Sequence, residues 1–249
     1  MIAIIGGNGM TQLACLEISH RQIIRTPYGE PSGPLTFGRI SNHEIVFLAR
    51  HGYGHTIPPH LVNYRANLWV LREQSVNEII SVATVGGIRA DLKPGVIVVP
   101  DQIIDYTHGR DATFYEGRDK PYSNADFTLP YSATLRSRIL RSAQTAKQPC
   151  VDGGVYAATQ GPRLDSIAEI NRYERDGADM VGMTGMPEAA LAKELGLDYA
   201  TIAVVANYAP GRGDSAAGIN IENVNATANA AMERVRSILE CIVNCSDEA

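Results

Sequence analysis

The stretch IAIIGGNGMTQL, residues 2–13, joins a short apolar run to a glycine-rich turn. The run is typical of a buried strand, and the glycines allow backbone to approach a ligand or another segment closely. A dinucleotide fingerprint would need glycine at position 12, where the chain has Gln12, and a Walker A loop would need a lysine. Two interpretations stay open: a small anion site of backbone N–H groups and Asn8, or a tight strand-to-helix turn without a ligand.

Apolar runs alternate with helical patterns along the rest of the chain. The predicted strands cover residues 2–5, 44–48, 78–85, 96–100 and 201–206. The predicted helices cover residues 62–74, 166–175, 187–195 and 223–243. Ser166 and Glu169 have the spacing of a capping box, and Gly196 is placed to end the third helix. This alternation predicts one α/β domain over residues 1–249, with helices on both faces of a β-sheet.

Composition narrows the class of function. The 249 residues carry a formal net charge of −5 and only 6% aromatic residues, which argues against a nucleic-acid binder and against attachment to an anionic membrane. The four cysteines are scattered, and neither a second cysteine pair nor a histidine pair completes a zinc site, so we expect no metal and a reduced, cytoplasmic protein. The start MIAIIGG lacks a basic region, so we expect no signal peptide.

Polar residues follow several of the predicted strands. Arg50 and His51 come directly after one strand, and Thr184 precedes a helix that is predicted to begin near Pro187. Arginine offers a fork of N–H donors for phosphate oxygens, and the first turn of a helix has free N–H groups. If these strand ends converge with the opening turn, they would surround one phosphate, although an Arg–His pair is more often a surface feature.

Four longer motifs point to a known family. They are LARHG…HTIPP…VNYRANLW from residue 48, GGIRADLKPG…PDQIIDYT from residue 86, TQGPR from residue 159 and GADMVGMTGMPEAALAKELGLDYATIAVVANY from residue 177. In these motifs the chain resembles the trimeric purine nucleoside phosphorylases, more narrowly the methylthioadenosine and methylthioinosine phosphorylases, from residue 4 to about residue 235. The resemblance implies a mixed central β-sheet flanked by α-helices, a homotrimer, and phosphorolysis of a purine nucleoside by inorganic phosphate as co-substrate, without a cofactor.

The resemblance also implies which residues bind phosphate. The implied set is Asn8, Arg50, His51, the backbone around Ala83 and Thr84, and Thr184. The family usually has threonine or serine where this chain has Asn8. The segment 109–130 resembles a loop that a neighbouring subunit lends to the active site, with Asn124 where relatives often have histidine.

Base recognition is implied at two positions. Asn207 would face N7 of the purine, where adenine-specific relatives have aspartate, and Asp165 stands where 6-oxopurine enzymes have glutamate. An amide can donate to a 6-oxo oxygen, and a carboxylate accepts from N1–H, which adenine lacks. Both positions favour a 6-oxopurine. From the residues alone, Asp165 could instead be a helix N-cap and Asn207 a turn residue.

The remaining implied contacts are to the base and the sugar. They are Met183, Tyr208, Ala209, His55, Ile221 and Asn225. An apolar Ile221, or Ile219 if the register shifts, favours a 5′-methylthio group over a hydroxyl, whereas Asn225 weakens that preference. We therefore expect 5′-methylthioinosine first, methylthioadenosine second, and inosine or guanosine third. A nucleoside hydrolase and a nucleoside-binding protein without turnover remain alternatives.

Overall fold

The computed structural model describes residues 1–7, 9–10, 13–116 and 122–244. Within these residues the chain forms eleven strands of one sheet. The strands are β1 Ile2–Gly6, β2 Glu17–Gln22, β3 Leu35–Ile40, β4 His43–Ala49, β5 Glu78–Gly87, β6 Ile97–Val99, β7 Gln102–Asp105, β8 Cys150–Asp152, β9 Val155–Ala158, β10 Met180–Gly182 and β11 Asp198–Tyr208. The α-helices are α1 Tyr64–Glu73, α2 Ala133–Thr145, α3 Ile167–Arg175, α4 Gly185–Glu194 and α5 Ile221–Asn244.

The sheet is mixed, as the resemblance implied. Its main path runs β2-β3-β4-β1-β5-β10-β9-β7, and β11 pairs with both β5 and β6. The long strand β5 lies parallel to β1 and β11 and antiparallel to β10. The carboxyl ends of β1, β4, β5 and β11 therefore meet at one edge of the sheet, which is where open α/β sheets bind ligands.

Alternating side chains of β5 face two separate cores. Ile79, Ala83 and Val85 pack on the side that carries α1 and α4, whereas Ile80 and Val82 pack on the side that carries α2 and α5. This period of two places helices on both faces of the sheet. The predicted α/β architecture is confirmed.

Most predicted elements lie where the sequence placed them, with boundary shifts. Ser166 and Glu169 form the expected capping box at the start of α3. The helix predicted from Pro187 is assigned from Gly185, with Met186 in an extended conformation inside its first turn. The strand-to-helix turn proposed after β1 is wrong, because the chain continues into β2. The side chains of β2 are polar in the main and all exposed, so this strand shows no apolar pattern.

Two features, one at the end of β1 and one in β11, shape the carboxyl edge of the sheet. A Cβ on Gly6 would lie 2.1 Å from the carbonyl oxygen of Met10, and one on Gly7 would lie 2.5 Å from that of Val82, so both positions need glycine for close backbone approach. In β11 the pairing with β5 shifts between Val205 and Asn207, which leaves an extra residue. Such a bulge changes the direction of the side chains that follow it.

Two expectations can be compared with the described residues only in part. No helix there is both long and apolar enough to cross a membrane, and no group of three or more His, Cys, Asp or Glu residues in this part of the chain could hold a metal ion. Cys15 and Cys150 are free thiols, and Cys241 forms no disulfide within the described residues. Cys245 lies outside the described residues.

Candidate active site

A cavity of about 570 Å³ lies at the carboxyl edge of the sheet. Its wall is built from Gly7 after β1, Arg50 and His51 after β4, the end of β5, the segment after β10, and the end of β11. The volume falls within the usual range for small-molecule sites. Residues that are far apart in sequence thus converge here, as the strand-end pattern predicted. Asn8 lies outside the described residues.

Arg50 is fully buried, and most of its donors are already occupied. Its Nε and Nη2 donate to Glu188 at 2.6 and 2.8 Å, Nη2 also donates to Ser81 Oγ at 2.6 Å, and Nη1 donates to the Val82 carbonyl at 3.0 Å. Four of its five N–H groups are therefore used within the protein. The expectation of a free guanidinium fork for phosphate is corrected: a single Nη1–H, beside Gly7, remains for a ligand.

Glu188 is the buried anion that balances Arg50, and no pattern in the sequence predicts that role. It is 0% exposed and also accepts from Ser81 Oγ at 2.9 Å and from the Tyr199 hydroxyl at 2.8 Å. Burial opposes the charge on Arg50, but the Glu188 carboxylate outweighs it and raises the pKa of Arg50 above its ordinary value. The only signal in the sequence was one acidic residue in the otherwise apolar run PEAALA.

His51 is buried as a neutral ring. Its Nδ1 lies 2.8 Å from the Ile57 carbonyl, which can only accept, so Nδ1 carries the proton and Nε2 has a lone pair. Burial and the adjacent Arg50 cation lower the pKa of His51 to about 4. At neutral pH, Nε2 can accept a hydrogen bond from a protonated ligand oxygen but cannot donate one.

The other predicted phosphate contacts also line the cavity. Ala83 and Thr84 lie near the end of β5, and Thr184 precedes the first turn of α4. The Thr184 side chain makes no capping hydrogen bond to the helix. Its backbone N–H donates to the Tyr156 hydroxyl at 3.4 Å. These neutral donors face the same space as the remaining Nη1–H of Arg50.

Asp165 and Asn207 both line the cavity. Asp165 accepts from the Tyr173 hydroxyl and from Thr159 Oγ1, each at 3.3 Å, and burial, followed by the charge of Glu169, raises its pKa. Asp165 is not the N-cap of α3, because the next residue, Ser166, makes that cap. Two hydroxyl donors therefore orient the carboxylate, and it does not cap the N-terminus of α3.

The bulge of β11 brings Asn207 into the cavity wall. Its Nδ2 donates to the Tyr208 carbonyl at 2.6 Å. Because a carbonyl only accepts, this bond identifies which amide atom is the nitrogen. One N–H and the Oδ1 atom of Asn207 remain for a ligand.

The predicted sugar contacts divide into two groups. Met183, His55, Ile221 and Asn225 line the cavity, as does Ile219, the alternative to Ile221. Tyr208 and Ala209 are not among the lining residues. Ala209 is fully buried against another core cluster, and a Cβ on Gly213 would lie 2.5 Å from the Tyr208 ring, so that ring packs on the following turn.

Two further observations complete the cavity. His55 stands at the mouth with its ring centroid 4.8 Å from that of His51. Ile221, the first residue of α5, is 55% exposed, so the cavity is open next to α5, where Ile221 and Val224 stand beside the polar Asn225. Asn124 lines a separate cavity together with Tyr122, Phe127 and Glu194, so within one chain it lies outside this site.

Comparisons with known proteins agree with this geometry. The family model described as "Phosphorylase superfamily" matches residues 1–244. A Xanthomonas campestris pv. campestris protein named probable S-methyl-5′-thioinosine phosphorylase is 50% identical over 86% of this chain and 86% of its own length. A 6-oxopurine nucleoside phosphorylase from Pyrococcus furiosus is 45% identical over 84% of this chain and 80% of its own. The solved structure of methylthioadenosine phosphorylase from Schistosoma mansoni in complex with adenine superposes with a TM-score of 0.94 at 30% identity, and the match covers 100% of this chain and 92% of that one. The chain belongs to the phosphorylase superfamily.

Proposed function

We propose that this enzyme catalyses phosphorolysis of a purine nucleoside, with S-methyl-5′-thioinosine as its preferred substrate. Inorganic phosphate and the nucleoside would give hypoxanthine and 5-methylthioribose 1-phosphate. The observation that carries the proposal is that Asp165 and Asn207 line the same cavity as Arg50 and Thr184. The names of the Xanthomonas and Pyrococcus relatives support phosphorolysis of a 6-oxopurine nucleoside.

The phosphate would lie at the strand-end wall. The single free Nη1–H of Arg50, the Thr84 and Thr184 groups and the neighbouring backbone would donate to its oxygens. His51 Nε2 would accept from a phosphate oxygen that carries a proton. These groups would hold the nucleophile below C1′ of the sugar, which is catalysis by positioning.

The base would lie between Asp165 and Asn207. The carboxylate would accept N1–H of hypoxanthine, while its outer hydrogen bonds from Tyr173 and Thr159 keep it oriented. The free N–H of Asn207 would donate to O6. N7 would take up a proton from water as the base leaves, and Asn207 Oδ1 would accept a hydrogen bond from the resulting N7–H. The phosphate returns a proton to water when its oxygen bonds to C1′. Adenine has neither N1–H nor O6, so it would leave the Asp165 carboxylate and the free N–H of Asn207 without partners.

The bond between C1′ and N9 would break ahead of phosphate attack. Its electron pair goes to the purine, and the sugar carries positive charge until a phosphate oxygen bonds to C1′. Met183 would pack against the sugar, and Ile219 and Ile221 would enclose the 5′-methylthio group. The steps need neither a covalent enzyme intermediate nor a cofactor.

The assembly and location belong to the same proposal. We expect a homotrimer in which the segment 109–130 reaches a neighbouring site, as in the family that the sequence resembles. We also expect a cytoplasmic protein, since Cys15 and Cys150 are free thiols and a reducing compartment keeps them so.

One assay tests the proposal. Purified protein is incubated with methylthioinosine, methylthioadenosine, inosine or adenosine, each with and without phosphate, and base release is followed. We expect hypoxanthine from methylthioinosine only with phosphate. Release without phosphate would indicate a hydrolase, and binding without release would indicate a nucleoside-binding protein. Faster release of adenine would favour methylthioadenosine, the substrate in the name of the Schistosoma structure.

A matched pair of variants tests the phosphate end. Thr184→Val removes a hydroxyl from the cavity wall, whereas Thr145→Val removes one from α2, where Oγ1 donates only to the Arg141 carbonyl. We expect at least a tenfold rise in KM for phosphate in Thr184→Val, since one lost hydrogen bond to an anion is worth about 1.5–3 kcal/mol. Thr145→Val should match the wild type. Equal phosphate KM values in both variants would contradict the placement of phosphate.

A further inference from the structure

Arg110 is half-buried, and its guanidinium group makes hydrogen bonds to several segments of the chain at once. Nη1 donates to the carbonyls of Met183 and Met186 at 2.9 and 2.5 Å, and Nη2 donates to those of Thr159 and Gln160 at 3.2 and 2.8 Å. Nε donates to the Gln160 side chain at 3.1 Å. All these acceptors are neutral oxygens.

The two segments that Arg110 joins follow the neighbouring parallel strands β9 and β10 and carry different parts of the cavity wall. Residues 183–186, which we call the phosphate-side segment, include Met183 and Thr184 of the cavity wall. Residues 159–165, which we call the base-side segment, include Asp165 of the same wall. One planar cation thus fixes the carbonyls of both segments at a set separation.

A third part of the wall connects to Arg110 through Tyr64. Nη1 of Arg110 lies 3.2 Å from the Tyr64 hydroxyl. That hydroxyl donates a hydrogen bond to the Pro59 carbonyl at 2.9 Å. Pro59 also lines the cavity. Arg110 itself is not among the lining residues, so its effect on a ligand would be indirect.

We propose that Arg110 is the positioning residue that sets the distance between the phosphate-side and base-side segments, and so between the two substrates; in this form the proposal rests on the proposed function. The guanidinium group has five donors in a rigid plane, which match carbonyls arriving from two directions. Lysine has one nitrogen with three donors, so it cannot bridge both segments. Removing the group leaves several carbonyls unpaired and lets the segments move apart.

The alternative is that Arg110 only anchors its own loop. The loop has other anchors that do not touch the cavity: Arg65 forms ion pairs with Asp111 and Glu116, and Glu194 accepts from Thr113 and Phe114. Arg65→Met therefore makes a matched control. It removes an arginine that holds the same loop, while the contacts of Arg110 to the two segments stay.

The experiment compares Arg110→Met, Arg110→Lys and Arg65→Met with the wild type. Steady-state rates give kcat/KM for nucleoside and for phosphate, thermal unfolding gives stability, and amide hydrogen exchange follows the two segments. We expect kcat/KM to fall about 100-fold for both substrates in Arg110→Met, because misplacement by about 1 Å has that effect. Arg110→Lys should not restore it, and Arg65→Met should stay within about threefold of the wild type.

Each outcome bears on the proposal. Rates in Arg110→Met that equal those of Arg65→Met, or full activity in Arg110→Lys, would overturn it. If Arg110→Met fails to fold, Arg110→Lys alone decides by the same rates. If the wild type shows no phosphorolysis, the proposed function fails, and hydrogen exchange still tests the role of Arg110. Faster exchange at both segments in the Arg110 variants than in Arg65→Met supports that role, and unchanged exchange refutes it.

Discussion

Replacing Glu188 with glutamine tests the buried ion pair behind the phosphate end of the cavity. Four donor bonds reach this carboxylate: Oε1 accepts from Arg50 Nη2, Ser81 Oγ and the Tyr199 hydroxyl, and Oε2 accepts from Arg50 Nε at 2.6 Å. The single oxygen of glutamine can keep the three-donor position, but its NH₂ group then faces the Arg50 Nε–H. Two donors would meet, and the Arg50 cation would lose its counter-charge.

The size of the effect follows from the burial of both partners. Both side chains are 0% exposed, and breaking such a pair on one side costs about 3–5 kcal/mol. At about 2–4 °C per kcal/mol for a chain of this size, Tm should fall by roughly 6–20 °C. The Nη1–H that faces the cavity should also lose its fixed position, so KM for phosphate should rise.

The assay is urea unfolding at pH 7, with Glu194→Gln as the control. Glu194 lies on the same helix, but it accepts from Thr113 and the Phe114 backbone rather than from a buried cation, so we expect a loss of at most about 1.5 kcal/mol there. The stability lost in the double variant Arg50→Met/Glu188→Gln should be about 1–3 kcal/mol smaller than the sum of the losses in the two single variants. A Glu188→Gln protein within 1 kcal/mol of the wild type would refute the reasoning.

Three more predictions concern the choice of purine base and the effect of low pH on activity and on stability. Asn207→Asp should shift the ratio of kcat/KM values from methylthioinosine toward methylthioadenosine by at least tenfold, because the donor to O6 is lost and an acceptor for the adenine amine is gained; an unchanged ratio contradicts the assignment. Because the pKa of Asp165 is raised, activity on methylthioinosine should fall on acidification at a pH above the usual aspartate range, and Asp165→Asn should abolish that acid limb in a pH–rate profile. The pKa of His51 is about 4 in the folded protein and about 6.5 in the unfolded chain, so the unfolded chain binds the proton more tightly. The free energy of unfolding should therefore fall by up to about 3 kcal/mol as the pH drops from about 6.5 to about 4. His51→Asn, whose amide can still donate to the Ile57 carbonyl, should lose that part of the pH dependence in urea unfolding, and an identical dependence would exclude His51 as its source.

Elements with a local cause could be predicted from the sequence. The capping box of α3 needs only Ser166 and Glu169, three residues apart, and it formed as predicted. The strand β2 was missed because its side chains are exposed and polar, so its pairing with β3 leaves no apolar pattern. The direction of Asn207 depends on a bulge in β11, which is visible only in the register of two strands.

The sites divide in the same way. Thr184, which precedes a predicted helix, could be placed on the cavity wall from the sequence. Glu188 and Arg110 could not, because their partners lie far along the chain: Arg50 is 138 positions from Glu188, and Met186 is 76 positions from Arg110. No periodicity or spacing connects residues at that separation. Glu188 pairs a buried cation, and Arg110 binds backbone carbonyls. These groups need partners only in the folded chain, where they have lost their contact with water.

The charge of the phosphate end follows from these same contacts. Arg50 suggested a cationic pocket, but Glu188 balances its charge at 2.6 Å, and His51 is neutral at pH 7. Among the described lining residues, attraction for phosphate therefore comes from oriented N–H and O–H groups rather than from net charge. Such a site binds an anion at short range and gains little from long-range attraction, so phosphate affinity should depend weakly on ionic strength. Because the described lining residues add no net positive charge at the phosphate end, the positive charge that stabilises the attacking phosphate in the transition state comes mainly from the sugar itself.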